Sequence, residues 1–328
     1  MNRIMIGIFL AVSLFAAALH ATYSIVAWDG EEMGVAVQSH WYSVGTVVSW
    51  AEPGLGVVAT QSFSEIAYGP LGLQLLNAGY SPADALTMLL AADPQREARQ
   101  VALLDISGRV AAHTGNRCIP KAGHIEGDHF SVQANLMMRD TVWSAMAEAF
   151  RSSEGQPLAE RLIQALEAAE GEGGDIRGRQ SAALRVVKVK PQGAPWKNVV
   201  VDIRVDDSTE PLAELRRIWG VHRTYDAMNA GDEALASGDV SRAMKMYEEA
   251  AALSPDNVEV RFWQGVTLWE SGEKKKAMAV LQPILEKEEA WREVLIRLPE
   301  AGLFSKEDVW DIIRGSVGKT VHPPTTSP

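Results

Sequence analysis

A threonine just behind a removable leader has chemistry to offer, and Thr22 stands in that place. Arg3 is followed by an apolar run over residues 4–18. That run is about the length of a signal-peptide core and shorter than the roughly 20 residues a membrane span needs. No stop-transfer pattern follows, so an exported chain is expected rather than an uncleaved anchor. A cut after Ala21 would make Thr22 the first residue. A cut after Ala18, with Ala16 and Ala18 in the small positions, would leave His20 and its two neighbours ahead of it. The difference decides reactivity. An N-terminal threonine carries a nucleophile and a base in one residue, because its free amine can take the hydroxyl proton directly or through water. That amine titrates at about 7.7–8.0 in model peptides, whereas the same nitrogen held in a peptide bond is no base at all. The β-methyl group restricts χ1 and helps aim the hydroxyl.

Such a nucleophile needs donors facing the oxyanion that forms on attack. Asn135, at the end of FSVQANLM, is the first candidate; an Asn closing a strand in a turn is the competing reading. Gln61 and Ser62 close GVVATQS, and Ser39 closes the strand before it, where their side chains could face the Thr22 amine. A second concentration of polar groups runs from Asp175 to Ser181. There Asp175 could hold the N-terminal ammonium, Ser181 could relay a proton, and Arg177 and Gln180 could bind substrate. The competing reading is a solvated loop with Asp175 paired to Arg177. His124 is expected to line the cleft. The segment around it, with His124, Glu126, Asp128 and His129, has no zinc-site spacing and reads as a surface loop, with no metal. Cys118 reads as a buried or half-buried thiol.

These residues need elements to position them. TYSIVAW from Thr22, MGVAVQS from Met33 and GLGVVAT from Gly54 are short Val- and Ile-rich strands separated by turn residues. Helices follow, one with Ser81 as N-cap and Pro82 in its first turn, ending at Asp93-Pro94. RQVALLDIS, RVAAHTG and FSVQANLM return to strand, with a turn at Gly108. Asp140 opens a helix carrying Val142, Trp143, Met146 and Phe150, and Pro157 opens another with Leu158, Leu162 and Leu166. Strands at 181–189 and 198–205 complete the pattern. Strand groups alternating with helix pairs suit a layered α+β sandwich and exclude a doubly wound parallel sheet.

Near Pro211 the chain becomes helical and repeats itself at a spacing of 34 residues. Gly231 recurs as Gly265, Gly238 as Gly272, Ala243 as Ala277 and Tyr247 as Leu281. These are tetratricopeptide (TPR) offsets: small residues let two antiparallel helices approach and bulky ones fill the next groove. Helices at 211–219 and 290–298 are expected to cap the two units, with Trp263, Trp269 and Trp291 mostly in the core. The domain reading is a signal peptide at 1–21, a sandwich at 22–215, a helical module at 216–315 and a disordered tail at 316–328. The net charge of −11 argues against a nucleic-acid partner. One cysteine excludes an intramolecular disulfide and any Cys-based cluster.

The segments TYSIVA, GVAVQS, GVVATQS, YGPLGLQLL, RVAAHTGNRC, AGH, GGDIRGRQSAAL and VDIRVDD closely resemble the bacterial domain of unknown function 1028, from Thr22 to about Leu215. That family is grouped with the N-terminal-nucleophile (Ntn) hydrolases. The resemblance implies an αββα sandwich and a start at the threonine, which favours the cut after Ala21. It implies no substrate. No lysine precedes Lys121, unlike the proteasome-type site. The expectation is therefore an exported, cofactor-free amidohydrolase of periplasm or extracellular space, acting on an amide-bearing small molecule or peptide. Its TPR module would bind a protein or peptide partner, with homo-oligomerisation left open and no integral span after cleavage. The alternative is a non-catalytic envelope scaffold on the same fold.

Overall fold

The computed structural model describes residues 21–317, so all but the last residue of the expected leader, and all but the first two residues of the expected tail, lie outside it. The described chain divides into two compact units at Arg216/Arg217.

The first unit runs β1 (Thr22–Trp28), β2 (Glu32–Ser39), α1 (Gly45–Val48), β3 (Ser49–Glu52), β4 (Gly56–Ser62), α2 (Tyr68–Asn77), α3 (Pro82–Ala92), β5 (Arg99–Asp105), β6 (Val110–Thr114), β7 (Gly123–Gly127), β8 (Phe130–Asn135), α4 (Val142–Ser152), α5 (Leu158–Gly171), β9 (Ser181–Lys188) and β10 (Val199–Val205). The strands form a six-stranded sheet, β10-β9-β2-β1-β8-β7, and a four-stranded sheet, β3-β4-β5-β6. All neighbouring strands are antiparallel.

Side-chain alternation explains the layering, since successive residues of a strand face opposite sides. On β4 and β5, Val57, Ala59, Ala102 and Leu104 meet Val26, Val35 and Val37 of the facing sheet. Val58, Val101 and Leu103 turn the other way, onto Tyr68, Leu73, Leu86 and Leu89 of α2 and α3. The six-stranded sheet is covered by α4 over β7 and β8, and by α5 over β1, β2 and β9. The architecture is the αββα sandwich expected of the strand and helix order. Ser81 caps α3 by accepting the amide N–H of Asp84, and Gly108 makes its turn at φ +73°.

The segment 123–127 is an edge strand in register with β8, not a loop, because His124 and Ile125 pair with Gln133 and Val132. The stretch 45–52, unread in the sequence, holds a short helix and a strand, too brief for a periodic signal.

The second unit is helical: α6 (Pro211–Ala236, which begins in the first unit), α7 (Val240–Leu253), α8 (Val258–Glu270), α9 (Lys274–Lys287), α10 (Glu289–Arg297) and α11 (Lys306–Val317). The expected helix 211–219 does not stop. No proline or turn cluster interrupts it before Gly238, so it continues as the first helix of the first repeat. A Cβ on Gly231 would lie 3.1 Å from the Tyr247 ring, and one on Gly265 only 2.5 Å from Leu281, so both glycines permit close helix approach. Gly238 and Gly272 end α6 and α8 at φ +79° and +86°, a left-handed conformation that costs glycine least. Trp269 is buried, and Trp263 and Trp291 pack against the same core as Leu281 and Leu285.

Candidate functional site

Register assembles the candidates. Thr22 opens β1 and pairs with Ser39 on one side and Asn135 on the other. Ser39 in turn pairs with Ser181. Four strands thus present Asn135, Thr22, Ser39 and Ser181 in one row at the same end of the sheet.

The loop 172–180 is drawn to that end by the turn after β8. Met137 bridges Asp175, and Met138 donates its amide to the Gly174 carbonyl at 2.9 Å. Leu136, next to Asn135, holds φ +54°. A left-handed backbone at a bulky residue costs about 1–3 kcal/mol and persists only where its surroundings impose it.

The Ala21–Thr22 peptide is the centre of the cluster. The Thr22 hydroxyl donates to Ser39 Oγ at 3.1 Å, and Ser39 Oγ donates to the Ala21 carbonyl oxygen at 2.5 Å. Arg177 Nη2 donates to the same carbonyl oxygen at 2.9 Å. Asp175 holds that guanidinium with both carboxylate oxygens, accepting from Nε at 3.2 Å and Nη2 at 2.9 Å. It also accepts the amide of His40 at 2.8 Å. Its side chain is wholly buried while that of Arg177 is 27% exposed, so the carboxylate is a fixed brace behind a cation that reaches the rim.

The inner side of Thr22 meets the other sheet. Its carbonyl oxygen accepts from Gln61 Nε2 at 3.2 Å and Asn135 Nδ2 at 3.4 Å. Both amides also donate to Gln100 Oε1, at 2.8 and 3.0 Å. Gln61 Oε1 accepts the Ser24 hydroxyl at 2.6 Å, and Ser24 accepts from Gln133 Nε2 at 2.7 Å. Gln100 Nε2 donates to Thr114 Oγ1 at 2.9 Å, and Thr114 Oγ1 shares a 2.8 Å hydrogen bond with His124 Nδ1. The result is a buried network of amides and hydroxyls between two sheets. A buried amide without partners costs about 1–3 kcal/mol, so a fully bonded network fixes how the sheets meet.

Each remaining candidate has partners of its own. Asn135 and Gln61 donate to the backbone carbonyl of Thr22 and to Gln100. Ser181 donates to the Trp41 carbonyl and accepts the Val44 amide at 3.0 Å, which braces the 41–44 loop. Gln180 Nε2 is bonded to Asp207 at 3.1 Å. His124 joins Thr22 only through Thr114, Gln100 and the two amides, and burial pushes its pKa below the ordinary histidine range. Cys118 is buried, which pushes its thiol pKa up. Ser62, beside Gln61, stands at φ +70° and is buried.

Gln100, Gln133 and Ser24 went unread. The signal was present as alternation: in FSVQAN the polar Ser131, Gln133 and Asn135 recur every second residue, as Ser24 follows Thr22 in β1. Polar residues at a strand's inward positions mark an inter-sheet network when both faces are covered. On the opposite face of β1, Tyr23 donates to Glu170 at 2.6 Å. Burial, with the Glu170 carboxylate beside it, raises the Tyr23 pKa well above the ordinary phenol value.

No group of three or more His, Cys, Asp or Glu converges to hold a metal ion among the described residues. None of the helices among them is long and apolar enough to cross a membrane.

Fold and site together define a layered α+β sandwich with a threonine-centred polar cluster, followed by a TPR-type module. Residues 22–215 match the model of the family of unknown function DUF1028, and the chain belongs to that family. Residues 234–295 match a tetratricopeptide repeat. A solved relative is protein SPO2555 from Silicibacter pomeroyi, also of DUF1028. It is 30% identical with a TM-score of 0.54, over 61% of this chain and 84% of that one. None of the curated proteins matches the chain. Repeats of the tetratricopeptide kind generally mount protein–protein contacts, so the second unit is of a protein-binding type.

Proposed function

We propose that the protein is an exported Ntn-type amidohydrolase whose nucleophile is Thr22 once residues 1–21 are removed. The observation that carries this reading is the environment of the Ala21–Thr22 peptide, whose carbonyl oxygen accepts from Ser39 and Arg177 while Thr22 Oγ1 lies against Ser39. Removal of Ala21 leaves a free amine on the residue that carries the hydroxyl, among groups already placed around an acyl carbonyl. The amine takes the hydroxyl proton as Oγ1 adds to an amide carbon, then returns it to the departing amine. Water releases the resulting ester. The resemblance to the Ntn hydrolases supports this reading, as does the two-sheet sandwich with β1 at its centre.

Intact mass of the exported protein tests it. The expected first residue is Thr22, and an electrophile selective for N-terminal threonine labels the wild type but not Thr22→Ala. A chain retaining Ala21 ahead of Thr22 stays unlabelled, because its nitrogen is acylated.

A second reading, a non-catalytic envelope scaffold, is favoured by the burial of Thr22 in the uncut chain. It prevails if the exported chain begins upstream of Thr22. In either case the helical module is proposed to hold a protein or peptide, and the substrate of the first unit to be an amide-bearing small molecule or peptide.

A further inference from the structure

The Ala21 carbonyl is a built-in acyl group. In the uncut chain it is attached to the nitrogen of Thr22; in an acyl-enzyme a substrate carbonyl would be attached to Oγ1 of the same residue. Nitrogen and Oγ1 are joined through only Cα and Cβ, and Oγ1 itself lies 3.1 Å from Ser39 Oγ, so an acyl group on either atom is held close to the same donors. Those donors are Ser39 Oγ, at 2.5 Å, and Arg177 Nη2, at 2.9 Å.

We propose, on the basis that Thr22 is the nucleophile, that Ser39 and Arg177 form the oxyanion site, the place first assigned to Asn135. The chemistry of the pair fits. In the uncut chain the Thr22 hydroxyl donates to Ser39, and Ser39 donates onward to the carbonyl. When Oγ1 bonds to a substrate carbon, its proton moves to the Thr22 amine and the carbonyl π electrons move onto oxygen. Ser39 Oγ–H and Arg177 Nη2–H then meet that negative oxygen. Collapse of the adduct restores the carbonyl, breaks the C–N bond and delivers the proton from the ammonium to the leaving amine. Asp175 fixes the guanidinium from behind through both oxygens. It also balances the charge of Arg177, which leaves the ground-state site suited to a neutral carbonyl rather than a carboxylate. Preorganised donors of this kind strengthen as charge develops. Asn135 and Gln61 cannot serve, since their N–H groups are committed to Thr22 O and Gln100.

The test uses the mature chain beginning at Thr22 and two probes of Thr22 Oγ1. N-acetylserine β-lactone acylates it through a tetrahedral oxyanion, whereas methyl vinyl sulfone alkylates it without one. Ser39→Ala and Arg177→Lys are compared with wild type, with thermal melting to show which variants fold; if Arg177→Lys does not, Ser39→Ala decides. The expected result is acylation slowed by roughly 10²–10³-fold, with alkylation held within about threefold. Acylation unchanged, or both reactions slowed alike, overturns the oxyanion assignment while Thr22 remains the nucleophile. A wild type labelled by neither probe overturns the hydrolase reading, and this assignment with it.

Discussion

Gln61 shows how much one buried amide can organise. It bonds to Ser24, to Gln100 and to the carbonyls of Thr22 and Gln133, tying β4 to strands of the facing sheet. Replacing it with leucine removes the donors and leaves polar groups unpaired in a buried layer. Gln61→Leu is expected to lower stability by about 1–3 kcal/mol in urea unfolding; a loss below about 0.5 kcal/mol would show that the sheets meet without this network. At the far end of the same network, His124 gives a pH signature. Burial depresses its folded pKa, so the folded state prefers the neutral imidazole. Its contribution is therefore fully present above the unfolded value of about 6.5 and is lost as pH falls below it, while the unfolded chain takes up a proton that the folded chain excludes. Comparing unfolding at pH 7.5 and 5.0, His124→Gln is expected to lose less stability on acidification than wild type. Equal losses would mean that this imidazole is not held neutral.

At the scale of elements, the two repeats carry the same residue pattern at different tightness. Gly231 and Gly265 are equivalent, and either mutation to alanine gains up to about 1 kcal/mol of helix propensity. What differs is space: a new Cβ would lie 3.1 Å from the Tyr247 ring but 2.5 Å from the branched end of Leu281. Overpacking typically costs about 1–3 kcal/mol. Gly265→Ala is therefore expected to lower the melting temperature of the helical unit, and Gly231→Ala to leave it nearly unchanged. A reversed order would show that α8 and α9 yield more readily than α6 and α7. In the sandwich, β1 is the element on which the site depends, because a slip of one residue would turn Thr22 and Ser24 from the inter-sheet layer to the helix side. The interior positions of Val26, Val35 and Val37 oppose that slip by burial against the other sheet.

Over the whole molecule, each unit has its own core: one set of clusters around β1, β2, β4 and β5, another around α8, α9 and α11. The alternation of strand groups with helix pairs, the Ser81 cap and the repeat glycines were legible from the chain alone, since alternation, turn residues and a 34-residue period are local signals. So were the polar residues Thr22, Ser39, Gln61, Asn135, Asp175 and Arg177, though not Ser24, Gln100 and Gln133 of the same network. Their roles were not. The edge strand at Gly123 was set by the strand it pairs with, which no window of sequence contains, whereas the run of α6 beyond Trp219 follows from the lack of a proline or turn cluster before Gly238. Ser181 sits beside Ser39 in register but turns its hydroxyl to the 41–44 loop; Asn135 looks like an oxyanion donor until Gln100 takes one of its hydrogens. Residue types along the strands thus determined which groups could gather at one end of the sheet. Which hydrogen bond each side chain makes depended on partners from the other sheet and from the loop at Asp175, distant in sequence and adjacent only after folding. A side chain's chemistry is set by its nearest donors and acceptors, and here those come from elsewhere in the chain.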